Sequence, residues 1–444
     1  MILQFSKGWG FLKWISLFLI FILLPFSALM GQTNSDFVRI EGTTFIKAGA
    51  PYYFIGTNFW YGMNLGIAGE KGDRARLIRE LDALKEMGIT NLRIMAASEG
   101  PDSEPWRMSP SVQPEPGVYR EEVLEGLDFL LDEMGKREMV AVVCLGNFWP
   151  WSGGMGQYVS WSQGSSIPYP PPAEGGSWTT YQLYTSKFYQ DKTALGWFEE
   201  YVRFLISRTN TINGLPYQND PTIMAWELAN EPRGILKKRA YRRWISKTAS
   251  LIKSLDANHL ITIGSEGYTP SRLAGNRFKK DHRIKGIDYT TIHIWAQNWG
   301  WYDPDKPATY AKTMEKVRAY LDQHVEESAD LCMPLVLEEF GISRDGNNHA
   351  HSSTTTIRNQ YYLDMFRLLE NSVRKKSALV GMNFWAWGGE GRPSSPKSIW
   401  KDGDDFIGDP PHEFQGWYSV YNTDSQEVML IKEANQRLLK LQGK

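Results

Sequence analysis

Apolar positions along the chain follow two rhythms that take turns. Short continuous apolar runs read as buried strands, and between them lie stretches with apolar residues three and four apart, the spacing of one helix face. Leu77, Ile78, Leu81, Leu84 and Met87 carry the helical spacing through residues 73–87, and Gly88 follows as a stop. Val123, Leu124, Leu127, Leu130 and Leu131 repeat it through residues 119–139. The same spacing predicts helices over residues 192–208, 236–256, 307–327, 355–374 and 425–441. The strand-like runs are 52–58, 89–95, 140–145, the run that opens at Thr222, 260–264, 289–294, 334–339 and 380–387. Ahead of them, residues 38–42 and 43–47, set off by Gly42 and by Gly49-Ala50-Pro51, predict short hairpin strands.

Strand followed by helix, about eight times, means a parallel sheet, and eight units point to a closed (β/α)8 TIM barrel. Short N-terminal hairpin strands lead into it. Long βα loops belong at its catalytic face, above all residues 146–189, rich in Gly, Ser, Pro and Trp. No Gly-x-Gly-x-x-Gly follows the first strand, which argues against a dinucleotide site. No Pro-, Ser- or Gly-rich linker divides the chain, so residues 32–444 are expected to form a single catalytic-size domain. Residues 1–31 read as a signal peptide: Lys7 and Lys13 precede an almost wholly apolar run over 14–30, and small residues stand at Ser27, Ala28 and Gly31. A secreted or periplasmic protein follows, with no membrane attachment once the signal is removed. A monomer is expected.

Charge and composition narrow the partner. Lys and Arg total 49 against 50 Asp and Glu, a net charge of −1, which argues against a nucleic-acid or anionic-membrane surface and suits a neutral ligand. The 18 Trp nearly match the 20 Phe. Planar rings stack on the apolar faces of sugars, so carbohydrate is the suspected ligand, although large rings also fill cores. Cys144 and Cys332 have neither disulfide nor metal spacing and read as two buried thiols.

Two glutamates stand where barrel strands four and seven end. Glu231 closes the run Trp226-Glu227-Leu228-Ala229-Asn230-Glu231-Pro232-Arg233, and Glu339 lies in Leu337-Glu338-Glu339-Phe340-Gly341. Two carboxyls at one mouth suit glycosidic cleavage: one protonates the leaving oxygen, and at a separation of about 5–5.5 Å the other attacks the sugar carbon. Arg93, at the end of strand two, is a candidate to keep the nucleophile ionised. Glu227 reads as a buried structural partner one layer deeper. Glu338 should point to the opposite face from Glu339 by strand alternation, and it is the alternative nucleophile. His349 and His351 read as a solvated pair rather than a metal site.

Asn230-Glu231-Pro232, Glu339-Phe340-Gly341, Arg93 in Asn91-Leu92-Arg93 and His293 on strand six together resemble glycoside hydrolase family 5. The fuller run through Arg233, with Gly56-Thr57-Asn58 and Gly153-Gly154-Met155-Gly156-Gln157-Tyr158, resembles its endo-β-1,4-mannanases. The resemblance implies retaining hydrolysis of β-1,4-mannosidic bonds in mannan, glucomannan or galactomannan, with no cofactor and no metal. It implies Glu231 as acid/base and Glu339 as nucleophile. Asn230 would bind the 2-hydroxyl, Arg93 would orient Glu339, and His293 would line the same subsite. Trp385 would floor the reacting sugar and Arg233 would serve the leaving-group side. One departure stands out: relatives carry His-x-Tyr on strand six, whereas this chain has His293-Ile294-Trp295. Stacking is the expected use of Trp295. Trp60 and Trp149, on loops at the expected mouth, are further candidates for sugar contact. The alternatives are a β-1,4-glucanase of the same family and a catalytically inactive carbohydrate-binding barrel.

Overall fold

Eight parallel strands form the centre: β4 (Phe54–Asn58), β5 (Asn91–Met95), β6 (Val140–Cys144), β7 (Ile223–Glu227), β8 (Leu260–Thr262), β9 (Thr290–Ile294), β10 (Leu335–Phe340) and β11 (Leu379–Phe384). They follow β1 (Arg39–Glu41), β2 (Thr44–Lys47) and β3 (Ala50–Tyr52), an antiparallel three-stranded sheet. The molecule is a computed structural model that describes residues 37–271 and 273–443, and the signal-peptide expectation lies outside the described residues. The described residues make one compact unit.

The strand order is β8-β7-β6-β5-β4-β11-β10-β9. The seam between β8 and β9 is bridged by Asp288 N–H to Ile261 O at 2.8 Å and by His293 N–H to Glu266 O at 3.3 Å. The ring is thereby closed, as the eight-fold alternation predicts. Helices run between the strands at Arg74–Glu86, Glu121–Lys136, Lys192–Ile206, Lys238–Leu255, Tyr310–Asp330 and Thr356–Arg374, with Ser425–Leu441 at the end. Asp73 and Asp191 start two of them by accepting backbone N–H bonds from the first turn. Between β8 and β9 the helix among the described residues is Phe278–His282, too short for its period to show in the sequence.

Residues 146–189 are not one irregular loop. They carry helices Gly154–Gln163 and Trp178–Thr185, whose Tyr158 and Tyr181 are fully buried. Segments of two or three turns held by aromatic burial leave little periodicity to read. The two thiols also differ from expectation: Cys144 is buried, while Cys332 is exposed. No helix among the described residues is long and apolar enough to cross a membrane.

The barrel interior has two layers. At the base, Phe54, Val140, Met224, Leu260, Tyr289, Val336 and Val380 form one apolar cluster. Phe45 of the hairpin sheet plugs it from below, 5.3 Å from Tyr289 and 6.4 Å from Phe54 between ring centroids. Each such side chain contributes roughly 1.5–3 kcal/mol on full burial. Above this layer the same strands turn polar, and there the site is built.

Candidate active site

Glu231 lies four residues past the end of β7, after the backbone has left the ladder. Its φ of 49° puts a non-glycine residue in the left-handed region, a conformation that surrounding contacts must hold and that is found at functional sites. Its own N–H bonds to Gly264 O at 2.9 Å, tying the turn to the end of β8. The carboxyl is held at both oxygens: Trp149 Nε1–H donates to Oε2 at 2.5 Å, and His293 Nδ1 lies 2.6 Å from Oε1.

Glu339 reaches the same place through an irregularity. On β10, Leu337 pairs with Ile292 of β9, and Glu339 pairs with the next residue, His293. Glu338 is thus the extra residue of a bulge. Val336 and Glu338 point inward by ordinary alternation, and the bulge turns Glu339 inward as well. The expectation that Glu338 faces away from Glu339 is therefore wrong: it sits beneath, 3.8 Å from His293 Nε2. Glu339 Oε1 accepts from Arg93 Nη1, and its Oε2 is 3.2 Å from His293 Nδ1.

One oxygen of Glu231, one of Glu339 and a ring nitrogen of His293 all lie within 4.8 Å of one another. Three such groups could in principle hold a metal ion, but each is already engaged, and the Arg93 guanidinium contacts the Glu339 carboxylate directly. The arrangement can do acid–nucleophile chemistry: two carboxyls about 5 Å apart suit attack by one and proton delivery by the other.

Arg93 organises the floor. Its Nε and Nη2 bond both oxygens of Glu227 at 2.7 and 2.6 Å, its Nη2 also donates to Asn230 Oδ1 at 2.8 Å, and its Nη1 reaches Asn58 Oδ1 at 3.0 Å. Glu227 is the buried partner the sequence suggests. Arg93 and His293, by contrast, do not line the open pocket. Both are buried under the carboxyls, so Arg93 has the contact to Glu339 expected of it without touching the open space, and His293, expected to line the subsite, lies beneath it. Burial opposes a charge on His293, but Glu339 and the contacts to Glu231 and Glu338 outweigh it, so its pKa stands well above the usual histidine value. Burial, with Glu227 close by, pushes Glu338 up to about 7.

A pocket of about 690 Å³ opens above. Asn230, Glu231, Arg233, Glu339, Trp149, Trp295 and Trp385 all line it, as expected. Trp295 does more than stack. Its indole N–H donates to Glu339 Oε2 at 3.1 Å, so a hydrogen-bond donor does stand beside the nucleophile where relatives carry tyrosine. Trp60 is the other correction. It is 2% exposed, its N–H is spent on Gly408 O at 2.9 Å, and it packs behind Trp151 at 5.5 Å.

Arg233 has a partner the sequence did not suggest. Glu266 takes both ends of its guanidinium at 2.6 and 2.7 Å, Gln182 accepts at 2.9 Å, and the cation lies 4.8 Å from the Trp149 ring centre. Glu266 stands just past β8, and the strand-end position that singled out Glu231 could have found it. Gln182 and Trp178 arrive on the short helix inside residues 146–189. His412 and Glu413 arrive from the loop after β11, where burial drives the Glu413 pKa well above the ordinary value and Asp409, Glu339 and Glu231 add to it. His349 is not solvated as expected: it is buried and stacks on Trp417 at 6.1 Å, while His351 is exposed.

An eight-stranded parallel barrel with two carboxyls converging at the C-terminal ends of its strands, under a tryptophan-walled pocket, defines a glycoside hydrolase of the TIM-barrel class. The family described as glycoside hydrolase family 5 beta-mannosidase-like matches residues 35–443, and the chain belongs to it. Among solved structures, a glycoside hydrolase family 5 mannosidase from Rhizomucor miehei is 40% identical, with a TM-score of 0.85 over 93% of this chain and 100% of that one. An endo-1,4-beta-D-mannanase from Thermotoga petrophila is 28% identical, with a TM-score of 0.63 over 87% of this chain and 99% of that one. A mannan endo-1,4-beta-mannosidase from Oryza sativa is 31% identical over 370 residues, 79% of this chain and 78% of the relative.

Proposed function

We propose that the protein hydrolyses internal β-1,4-mannosidic bonds of mannan-type polysaccharides (mannan, glucomannan or galactomannan) with retention of configuration. The observation that carries the proposal is the closeness of the Glu231 and Glu339 oxygens, within 4.8 Å, because an inverting pair needs about 6.5–9.5 Å to admit a water. Similarity to the rice mannan endo-1,4-beta-mannosidase and the Thermotoga petrophila endo-1,4-beta-D-mannanase supports the sugar and the endo mode.

Glu231 gives its proton to the leaving oxygen while Glu339 attacks the anomeric carbon. A glycosyl–enzyme ester forms on Glu339, and Glu231 then takes a proton from the water that hydrolyses it. Arg93 and the Trp295 N–H stabilise the Glu339 carboxylate both before attack and as it departs. Asn230 is held by Arg93 and by Asn147 Oδ1 at 3.1 Å, which fixes it for the 2-hydroxyl of the reacting sugar. Trp385 supports that sugar, and Arg233, with Glu266 and Gln182, faces the leaving group. No group beyond the side chains is needed. We further propose export of a monomer by the N-terminal signal; cell fractionation and size-exclusion chromatography test this, and an intact N-terminus retained in the cytoplasm would overturn it.

The test of the activity is reducing-end release from mannan and from a soluble β-glucan, with Glu231→Gln as control. Preference for the glucan would replace the substrate, and hydrolysis by the Gln variant would remove the acid/base assignment. Sugar binding without cleavage by the unaltered protein would leave only a binding barrel.

A second mode, removal of sugars from chain ends, is favoured by one observation. Trp178, from the loop after β6, meets His412, from the loop after β11, at 5.9 Å between ring centroids. The contact lies on the Arg233 side, since Trp178 also meets Trp149 at 5.5 Å and Gln182 of the same helix accepts from Arg233 at 2.9 Å. At the other end Trp151 meets Trp385 at 6.4 Å, and behind Trp151 the space is filled by Trp60, itself against Phe406 at 5.7 Å. A roof of this kind shortens the run of sugars the cleft can hold. Early products decide: a ladder of oligosaccharides supports internal cleavage, and a single short sugar supports end trimming.

A further inference from the structure

Glu338 has no part in the steps above, and it is an expensive residue to keep. It is 0% exposed, and neither carboxylate oxygen has a hydrogen-bond partner. A buried carboxylate without partners costs several kcal/mol unless nearby charge offsets it. Its surroundings show what offsets it. Oε2 lies 3.8 Å from His293 Nε2 and 4.0 Å from Arg93 Nε. Arg93 is already committed to Glu227 and Glu339, whereas His293 Nε2 has no other partner. The opposite nitrogen, Nδ1, touches Glu231 Oε1. One imidazole ring therefore stands between an otherwise unpaired buried carboxyl and the carboxyl assigned as acid/base.

We propose that Glu338 is a positioning residue: acting through His293, it keeps the proton of the Glu231–His293 pair bound into the alkaline range and so sets the alkaline limit of activity. The inference rests on Glu231 being the acid/base. No net proton enters or leaves the relay. Glu231 loses one to the leaving oxygen and regains one from water, while His293 keeps its proton and Glu338 its charge through the cycle.

The groups facing this relay are Arg93 from β5, Glu227 and Glu231 from β7 and its turn, Glu266 from the end of β8, Tyr289 just before β9, and Glu339 beside it on β10. Glu227 and Glu339 contact Arg93 and Glu266 contacts Arg233, whereas Glu338 has no hydrogen-bond partner and lies slightly closer to His293 than to Arg93. The raised pKa of His293 agrees with a carboxylate beneath it, whereas burial and Glu227 raise that of Glu338 to about 7, so that its charge is present on the alkaline side. Such groups titrate as a set, so the measured limit belongs to the pair.

The experiment is kcat/KM against pH for the unaltered enzyme, Glu338→Gln and Glu338→Asp. Removing the charge should move the alkaline limb down by roughly one pH unit, about a tenfold loss on that side, with a smaller loss at the acid side. Glu338→Asp should restore most of the shift. A Gln profile reduced uniformly at all pH, with its limb unmoved, would overturn the proposal and leave Glu338 a packing residue. A titration of His293 by histidine-selective NMR in the unaltered enzyme stands even where Glu338→Gln fails to fold: protonation persisting well above pH 6.5 supports the relay, and ordinary titration overturns it. Hydrolysis by Glu231→Gln would instead remove the acid/base assignment, a separate failure.

Discussion

The two ends of the barrel interior are built from the same strands and follow opposite rules. On β4, Phe54 is at the base and Asn58 at the mouth. On β7 the pair is Met224 and Glu227, at β9 it is Tyr289, just before the strand, and His293, and on β10 Val336 and Glu339. The base is apolar, plugged by Phe45 and sealed by the hairpin sheet. The mouth buries Arg93, Glu227, Glu231, His293, Glu338 and Glu339 within contact of one another. Burying charge costs folding energy, and a well-packed apolar set in its place is often no less stable. The base therefore supplies stability that the mouth consumes, and the charges are retained for chemistry. The lesson is a division of labour along each strand, with the boundary about one residue pair thick.

The sharpest way to break this comparison is at the nucleophile. Glu339→Ala should lower kcat on the order of 10⁴-fold or more, since removing one member of a catalytic set removes most of what the set does. Thermal unfolding should move little, because Arg93 keeps both bonds to Glu227. A variant that lost its fold as readily as its activity would mean the mouth is scaffold after all.

Arg93→Met tests the boundary itself. It strands Glu227 and Glu339 as buried carboxylates, and breaking such a set costs about 3–5 kcal/mol of stability. Activity should fall as well, because Glu339 loses its cation. Loss of activity with full stability would show that Arg93 serves chemistry alone. At the base the expectation reverses: Phe54→Ala should cost about 3–5 kcal/mol by chemical unfolding, with kcat/KM of the folded protein almost unchanged. A large drop in kcat/KM there would join the two layers into one.

Much of this was legible in the chain, and the exceptions have physical causes. Strands and helices announced themselves through period, and the helix over residues 425–441 coincides with its predicted bounds. Glu231 and Glu339 were legible because each ends an apolar run beside a Gly or Pro. The inward turn of Glu338 was not, because a one-residue bulge shifts side chains between faces without changing composition. The Arg233–Glu266 pair was not, because a helix and a strand separate its partners along the chain. The N–H of Trp295 reaching Glu339 was not, because residue type shows which atoms are available and not where they end up.

Trp60 and Trp149 make the last and smallest test, and the finest one. Both follow a barrel strand directly into its loop, and sequence reads them alike. Trp149 faces the mouth: its N–H holds Glu231, and its ring carries the Arg233 cation. Trp149→Phe keeps the ring face and removes the donor. Removing the donor to a buried carboxyl costs about 1–3 kcal/mol, so kcat/KM should fall by roughly tenfold with little change in unfolding temperature. Trp60 belongs to the scaffold, packed among Tyr61, Trp151 and Phe406. Trp60→Phe leaves the Gly408 carbonyl without its bond and should cost about 1–2 kcal/mol of stability, with KM unmoved. Should the two variants exchange phenotypes, Trp149 would be scaffold and the cleft would extend to Trp60, a longer cleft of the kind internal cleavage favours.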